Sequence, residues 1–136
     1  MSDGMALVFV DENGTGDGRP LGALAKAFRA AQLPVIHAVQ SELADGPFDR
    51  ELLEAGGVQT LGPGEMAIGM RSRGAFDATP LDAVLRGLGI NTIVVGGSVP
   101  SPAVSASVSA GELRGYRVLL ATDELAVALG AFLRAA

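Results

Sequence analysis

The sequence predicts an α/β domain of three layers, a doubly wound, mainly parallel five-stranded sheet with helices on both faces. Three observations lead there. Short, almost unbroken apolar runs suit strands buried on both faces. Segments with helical apolar spacing alternate with those runs, as right-handed parallel crossovers require. Finally, 136 residues at 49% apolar and 18% charged are enough to bury a core. No repeat, linker or low-complexity tract divides the chain, so residues 1–136 read as one domain.

Taken in order, "MALVFV" (5–10) is the first strand and "LGALAKAFRAAQ" (21–32) the first helix, with Leu21, Leu24, Ala25 and Phe28 on one face. "PVIHAV" (34–39) is the second strand. Residues 41–63 have no clean period and several Gly and Pro, so they read as a short helix, "FDRELLEAG", flanked by loops. "EMAIGM" (65–70) is a weaker strand. "TPLDAVLRGLG" (79–89) is a well-marked helix: Thr79 caps, Pro80 takes the first helical position, Asp82 completes a capping box and Gly89 ends it. "TIVV" (92–95) and "RVLLAT" (117–122) are strands around a small-residue helix that Ser101 caps and Pro102 begins. "DELAVALGAFLRAA" (123–136) is a last helix, with two acids at its start and Leu125, Leu129 and Leu133 on one stripe.

Composition excludes several classes of function. The chain has no cysteine, which rules out disulfides, thiolate metal sites and a cysteine nucleophile. A net charge of −5, with the basic residues scattered, opposes nucleic-acid and anionic-membrane binding. The N-terminal apolar run is far shorter than the ~20 residues that span a bilayer, and no basic region precedes it. A cytoplasmic location is therefore expected.

In a doubly wound sheet, ligands bind outside the carboxyl ends of the strands, where the strand order reverses. Asp11 comes directly after the first strand, and Gly96 and Gly97 end the "TIVV" strand, so these tips would frame a pocket. Asp11 reads equally well as a turn or capping acid in "DENGTGDG". That loop is no phosphate cradle: Arg19 stands where G-x-G-x-x-G needs its third glycine, and Asp11, Glu12 and Asp17 would repel an anion.

The stretch "RSRGAFDATPLDAVLRGLGINTIVVGGSVPSPAVSASVSAGELRGYRVLLATDEL", with "ALVFVDENG" near the start, resembles the isochorismatase-like hydrolases, relatives of nicotinamidase and N-carbamoylsarcosine amidase. The similarity covers nearly the whole chain. It implies an aspartate after the first strand, a lysine shortly before an "S-A-F" element and a nucleophilic cysteine at the head of the helix after the fourth strand. A cis peptide in the turn before the cysteine helps build the oxyanion site. Asp11 matches the family aspartate. The lysine position falls on Met70 and the cysteine position on Ala103, while "GGSVPSP" keeps the shape of the turn, with the cis bond implied near Ser98 and Val99. Metal-binding relatives place histidines and an acid after the second strand; here the sole histidine, His37, reads as a half-buried strand residue, and neither a metal nor a cofactor is expected.

An alanine forms no acyl intermediate, so a cysteine amidase is not expected. The turn Gly96, Gly97, Ser98, Val99, Pro100 and Ser101 would line the pocket. Arg71, Arg73 and Phe76 are candidates for substrate binding, the arginines through forked contacts to a carboxylate. Three functions remain open. The first is a pseudoenzyme that binds a small molecule or serves as an oligomer subunit. The second is a cysteine-independent hydrolase, lyase or isomerase on a small carboxylate or carbonyl metabolite. There Asp11 would act as general acid or base with Glu12 as a weaker companion, and the acid role needs a raised pKa in an apolar pocket. The third is a structural partner of an active paralogue. The resemblance implies a longer segment between the second strand and "GAF" than this chain has, so the lid here would be reduced and a pocket completed by a neighbouring subunit, in a homodimer or tetramer, is expected.

Overall fold

Strand β1 (Gly4–Asp11) runs through the interior of the sheet, because Ala6, Leu7, Val8, Phe9 and Val10 leave no polar face to turn outward. The structure is a computed structural model, and it describes residues 4–11, 19–40, 48–70, 74–76, 79–97 and 102–121. The remaining elements are α1 (Arg19–Ala30), β2 (Val35–Gln40), α2 (Arg50–Glu54), β3 (Val58–Gly62), β4 (Glu65–Met70), α3 (Leu81–Gly87), β5 (Ile90–Gly97), α4 (Pro102–Leu113) and β6 (Arg117–Leu120). They build a six-stranded sheet of order β3-β4-β2-β1-β5-β6, in which only β3 is antiparallel to its neighbour.

Among the described residues the sheet therefore has six strands where the sequence predicts five. The extra one, β3, lies in the segment read as a helix flanked by loops. The helix is there as α2, with Asp49 capping it by accepting from the Leu52 N–H at 3.2 Å. Beyond α2 the chain forms an edge strand, "VQTLG", whose half-exposed residues carry too little apolar signal to mark it. Pairing makes it a strand: residues 58–62 return against β4 through the turn at Pro63 and Gly64.

Side chains alternate along each strand, so the two faces can be read from the buried clusters. On one face Leu7, Phe9, Val35 and Val94 pack with Leu24, Ala25 and Phe28 of α1. Leu24 and Phe28 are both fully buried, and each contributes roughly 1.5–3 kcal/mol on that account. Leu53 of α2 covers Val39 and Ala67 on the same side. It comes so close that a Cβ on Gly69 would lie 2.5 Å from the Leu53 carbonyl oxygen, which is why β4 carries glycine there. On the other face Ala6, Val8, Val10, Ile36, Ala38, Ile68, Met70, Ile93 and Val95 pack with Leu81 and Leu85 of α3 and Val104 of α4. The helices after β1 and β5 lie on opposite faces, so the winding reverses between these two strands.

The start of α3 differs from expectation. The helix begins at Leu81 with Pro80 at its N-cap, and Thr79, one residue earlier, still caps it as expected, its hydroxyl accepting from the Leu81 N–H at 3.3 Å. Asp82 does not close a capping box; its carboxylate accepts from the Tyr116 hydroxyl at 2.7 Å and from Arg86. A buried phenol needs a partner more than one helix N-terminus needs a second cap. Gly89, at φ 73°, ends this helix as the sequence predicts. Pro102 is the first residue of α4, as expected. Its cap, Ser101, and the predicted last helix at 123–136 lie outside the described residues.

Candidate functional site at the reversal of strand order

The reversal brings the carboxyl ends of β1 and β5 side by side. They are adjacent parallel strands, with Phe9 beside Gly96 and Val10 beside Gly97. Asp11 is the last residue of β1 and pairs on its other side with Val39 of β2. The next strand, β4, ends at Met70 beside Gln40. Met70 and Asp11 thus end strands two positions apart, a backbone separation of roughly 10 Å. Gly97 ends β5 and Ala103 is the second residue of α4, so both flank the turn that leads from strand to helix.

The layer directly beneath these ends, on the α3 and α4 side, is apolar and closed. Val10, Met70, Ala75, Val95, Phe76 and Val104 belong to one cluster, and none is more than 4% exposed. Met70 is among its largest fully buried side chains. Phe76 packs inward, its ring 5.7 Å from that of Tyr116 and with the Arg114 guanidinium 5.1 Å above it. The side chains of Asp11 and Ala103, and the residues Glu12, Arg71, Arg73, Ser98, Val99, Pro100 and Ser101, lie outside the described residues.

One residue to which the sequence pattern assigns no role holds this region together. Ser107, 1% exposed on α4, accepts from the Ala75 N–H at 2.8 Å. The Thr79 hydroxyl donates to the Ala75 carbonyl from the other side. The turn at 74–76, just beyond the end of β4, is thereby tied to the helix after β5. A signal exists in the sequence: Val104, Ser107, Val108 and Gly111 repeat at three- and four-residue spacing, and a serine on a buried helical stripe needs a partner.

Around Phe76 the same region carries a polar knot. Burial, and then the hydrogen bond to Asp82, push the Tyr116 hydroxyl up to about 12. The bond from Tyr116, more than that from Arg86, holds the Asp82 carboxyl below the ordinary range. Arg86 also donates to the Arg114 carbonyl at 3.1 Å, joining the ends of α3 and α4.

His37 belongs to the opposite face. Its ring stacks on Phe9 at 5.3 Å and meets Phe48, while Nε2 lies 2.7 Å from Glu65 Oε2. Arg29 of α1 grips the same carboxylate with two bonds, at 2.9 and 2.8 Å. The Arg29 contact, ahead of the bond to His37, lowers the Glu65 pKa. This is a brace between α1, β2 and β4. Among the described residues no three His, Asp or Glu side chains converge to hold a metal ion. An open depression of about 420 Å³, lined by Asn91, Thr92, Gly115, Tyr116 and Arg117, lies at the amino ends of β5 and β6, the wrong end of the sheet for the ligand site of a doubly wound fold. No described helix is long and apolar enough to cross a membrane.

Known proteins share this fold. The Isochorismatase domain family model matches residues 19–128. No curated protein matches the sequence. Among solved structures, the chain is similar to a nicotinamidase from Staphylococcus aureus, with a TM-score of 0.67 and 19% identity over 98% of this chain and 94% of that one. It is also similar to the N-carbamoylsarcosine amidase from Thermoplasma acidophilum, with a TM-score of 0.66 and 22% identity over 88% and 82%. An isochorismatase family protein from Burkholderia thailandensis gives a TM-score of 0.60 at 25% identity over 97% and 85%.

Proposed function

Because this chain belongs to the isochorismatase family yet holds no cysteine in its 136 residues, we propose that it is a pseudoenzyme, a small-molecule binder or oligomer subunit without thiol chemistry. The missing cysteine carries the reading, since no other side chain supplies a comparable thiolate nucleophile. Ala103 stands at the position the resemblance gives to the nucleophile. Met70 stands at that of the lysine, and its burial in the apolar cluster supports the loss of the cation there. Catalysis by one of the α4 serines lacks support as well. Ser107 is committed to the Ala75 N–H, and the single histidine is bonded to Glu65 on the other face of the sheet.

The test has two parts. The purified chain should release no ammonia from nicotinamide or N-carbamoylsarcosine. In a panel of small metabolites, at least one ligand should shift the backbone NMR signals of Val10 and Gly96. Ammonia release by the purified chain that is abolished in Asp11→Asn and Asp11→Ala would overturn the reading.

A second reading, in which Asp11 works as a cysteine-independent acid or base, is supported by its place as the last residue of β1 at the reversal of strand order, where doubly wound folds bind their ligands. Turnover of a vinyl ether or carbonyl metabolite, abolished by Asp11→Asn, would establish it. A partner role beside an active paralogue predicts instead that the chain co-purifies with that enzyme and binds no metabolite.

A further inference from the structure

The edge of a sheet presents backbone N–H and C=O groups that another strand can pair with, and proteins guard such edges with charges. Among the described residues the two edges of this sheet are β3 and β6, and they differ in this respect. β6 opens on Arg117, which is exposed. β3 has no such guard, since residues 55–64 carry no charge. Val58 and Thr60, opposite Ile68 and Met66 of β4, are exposed on the α3 side of the sheet, Val58 at 36%. On the other side Leu52 of α2, also exposed, lies against the entry to the strand, where a Cβ on Gly57 would come within 2.4 Å of its Cδ1. The edge thus has an exposed apolar residue on each face and no charge between them.

We propose that β3 is the surface through which two copies of this chain associate, by antiparallel pairing with β3 of the partner subunit across a two-fold axis perpendicular to the sheet. The inference rests on the oligomer-subunit part of the reading above and names its interface. A second copy fits for a reason of charge. Self-pairing sets a strand against its own sequence, so any charged residue near the axis would meet its like, and this strand has none. The register follows from the faces. Centred on Gln59, it sets Val58 opposite Thr60 of the partner subunit twice over, two β-branched pairs on the α3 side, with both α2 helices on the other face. The irregularity of the ladder between Thr60 and Gly62, with Pro63 beyond it, limits the pairing to this short stretch. Association closes at two copies, because the edges left over are β6 and its copy, each with its arginine.

The experiment follows the full chain by analytical ultracentrifugation from low micromolar to millimolar concentration. A dimer with a dissociation constant of about 10–100 μM is expected, in keeping with an interface at the small end of the range. Val58→Lys and, separately, Thr60→Lys put a charge on the edge at exposed positions, and each should weaken the dimer at least about tenfold, whereas Leu120→Lys on β6 should leave it unchanged. Amide hydrogen exchange on the unaltered chain gives a reading independent of any variant's folding. Exchange at residues 58–61 should slow as concentration rises, and exchange at residues 117–120 should not. A dimer that tolerates both β3 lysines, or that Leu120→Lys disrupts, overturns the β3 interface and leaves the oligomer reading standing. A monomer at millimolar concentration overturns both, while the metabolite-binding part of the reading keeps its own test in the signals of Val10 and Gly96.

Discussion

Replacing Met70 with lysine puts a cation where the structure has a closed apolar layer. Met70 is 1% exposed, among Ile68, Ala75, Phe76, Val95 and Val104. A lysine there keeps much of the methionine's bulk but must surrender its charge or pull the layer open. An unfolded lysine has a pKa of about 10.4, and fully buried ones fall to about 5–6. With the folded pKa depressed, the cost is greatest below the folded value and shrinks as pH rises toward the unfolded one. Between those values it changes by about 1.4 kcal/mol per pH unit, so Met70→Lys should cost about 4–5 kcal/mol at pH 7 and about 2 kcal/mol at pH 9. Met70→Leu, which keeps the volume, should cost less than about 1.5 kcal/mol at either pH. Urea unfolding monitored by circular dichroism at four pH values gives both numbers. A lysine variant that loses under about 1 kcal/mol at pH 7, with no pH slope, would refute the reasoning. It would mean that water or a carboxylate reaches position 70, and that this end of β4 is open enough to hold the cation the family resemblance places there.

Ser107→Ala should cost about 1–3 kcal/mol, because it leaves the Ala75 N–H without its buried acceptor; a loss under about 0.5 kcal/mol in the same assay would show that α4 does not hold this turn. The depressed pKa of Glu65 means that its ionised form stabilises the fold at pH values above its unfolded pKa. That contribution is lost as pH falls through the folded value, and Glu65→Gln should flatten the acid limb of a melting-temperature profile. Tyr116 is the chain's single tyrosine, so its ionisation can be tracked by absorbance at 295 nm, with a midpoint expected at about 12. Its folded pKa is raised, so stability should fall as pH climbs from about 10 toward that midpoint, and Asp82→Asn should move the midpoint down. A midpoint at the ordinary phenol value would show that Tyr116 is open to water.

The parts of the fold legible in the sequence are those where local pattern and tertiary fate agree. β1 and β5 are apolar on both faces, and interior strands of a parallel sheet have that composition; Gly89 could be read because a helix ending in the left-handed region selects glycine on local grounds. β3 could not be read, since "VQTLG" is an edge strand whose identity comes from its ladder with β4. Asp82 misled for a related reason. Its spacing from Thr79 satisfies a capping box, but the hydroxyl of Tyr116, 34 residues away, takes the carboxylate. His37 was legible as a half-buried strand residue, whereas its bond to Glu65 depends on β2 and β4 being neighbours, which no local pattern announces. At the site, the order of elements was enough to locate the reversal, because crossover handedness leaves few alternatives. It could not reveal the tie from Ser107 to Ala75, which exists only once α4 crosses the turn after β4.

That tie bears on what holds the family architecture in place. The groups that set the geometry of the strand ends are main-chain ladders between β1 and β5, the apolar layer below them, and the Ser107, Thr79, Tyr116 and Asp82 bonds around the 74–76 turn. None of them requires a thiol or an ammonium at the tips. A buried cation is a burden on stability, because its desolvation must be offset by a partner, whereas a thioether at the same place adds apolar burial. On the proposed reading, a change from lysine to methionine at position 70 would therefore be downhill for folding. The similarity of this fold to that of two amidases is accordingly a statement about packing, and the chemistry has to be argued from the residues at the tips alone.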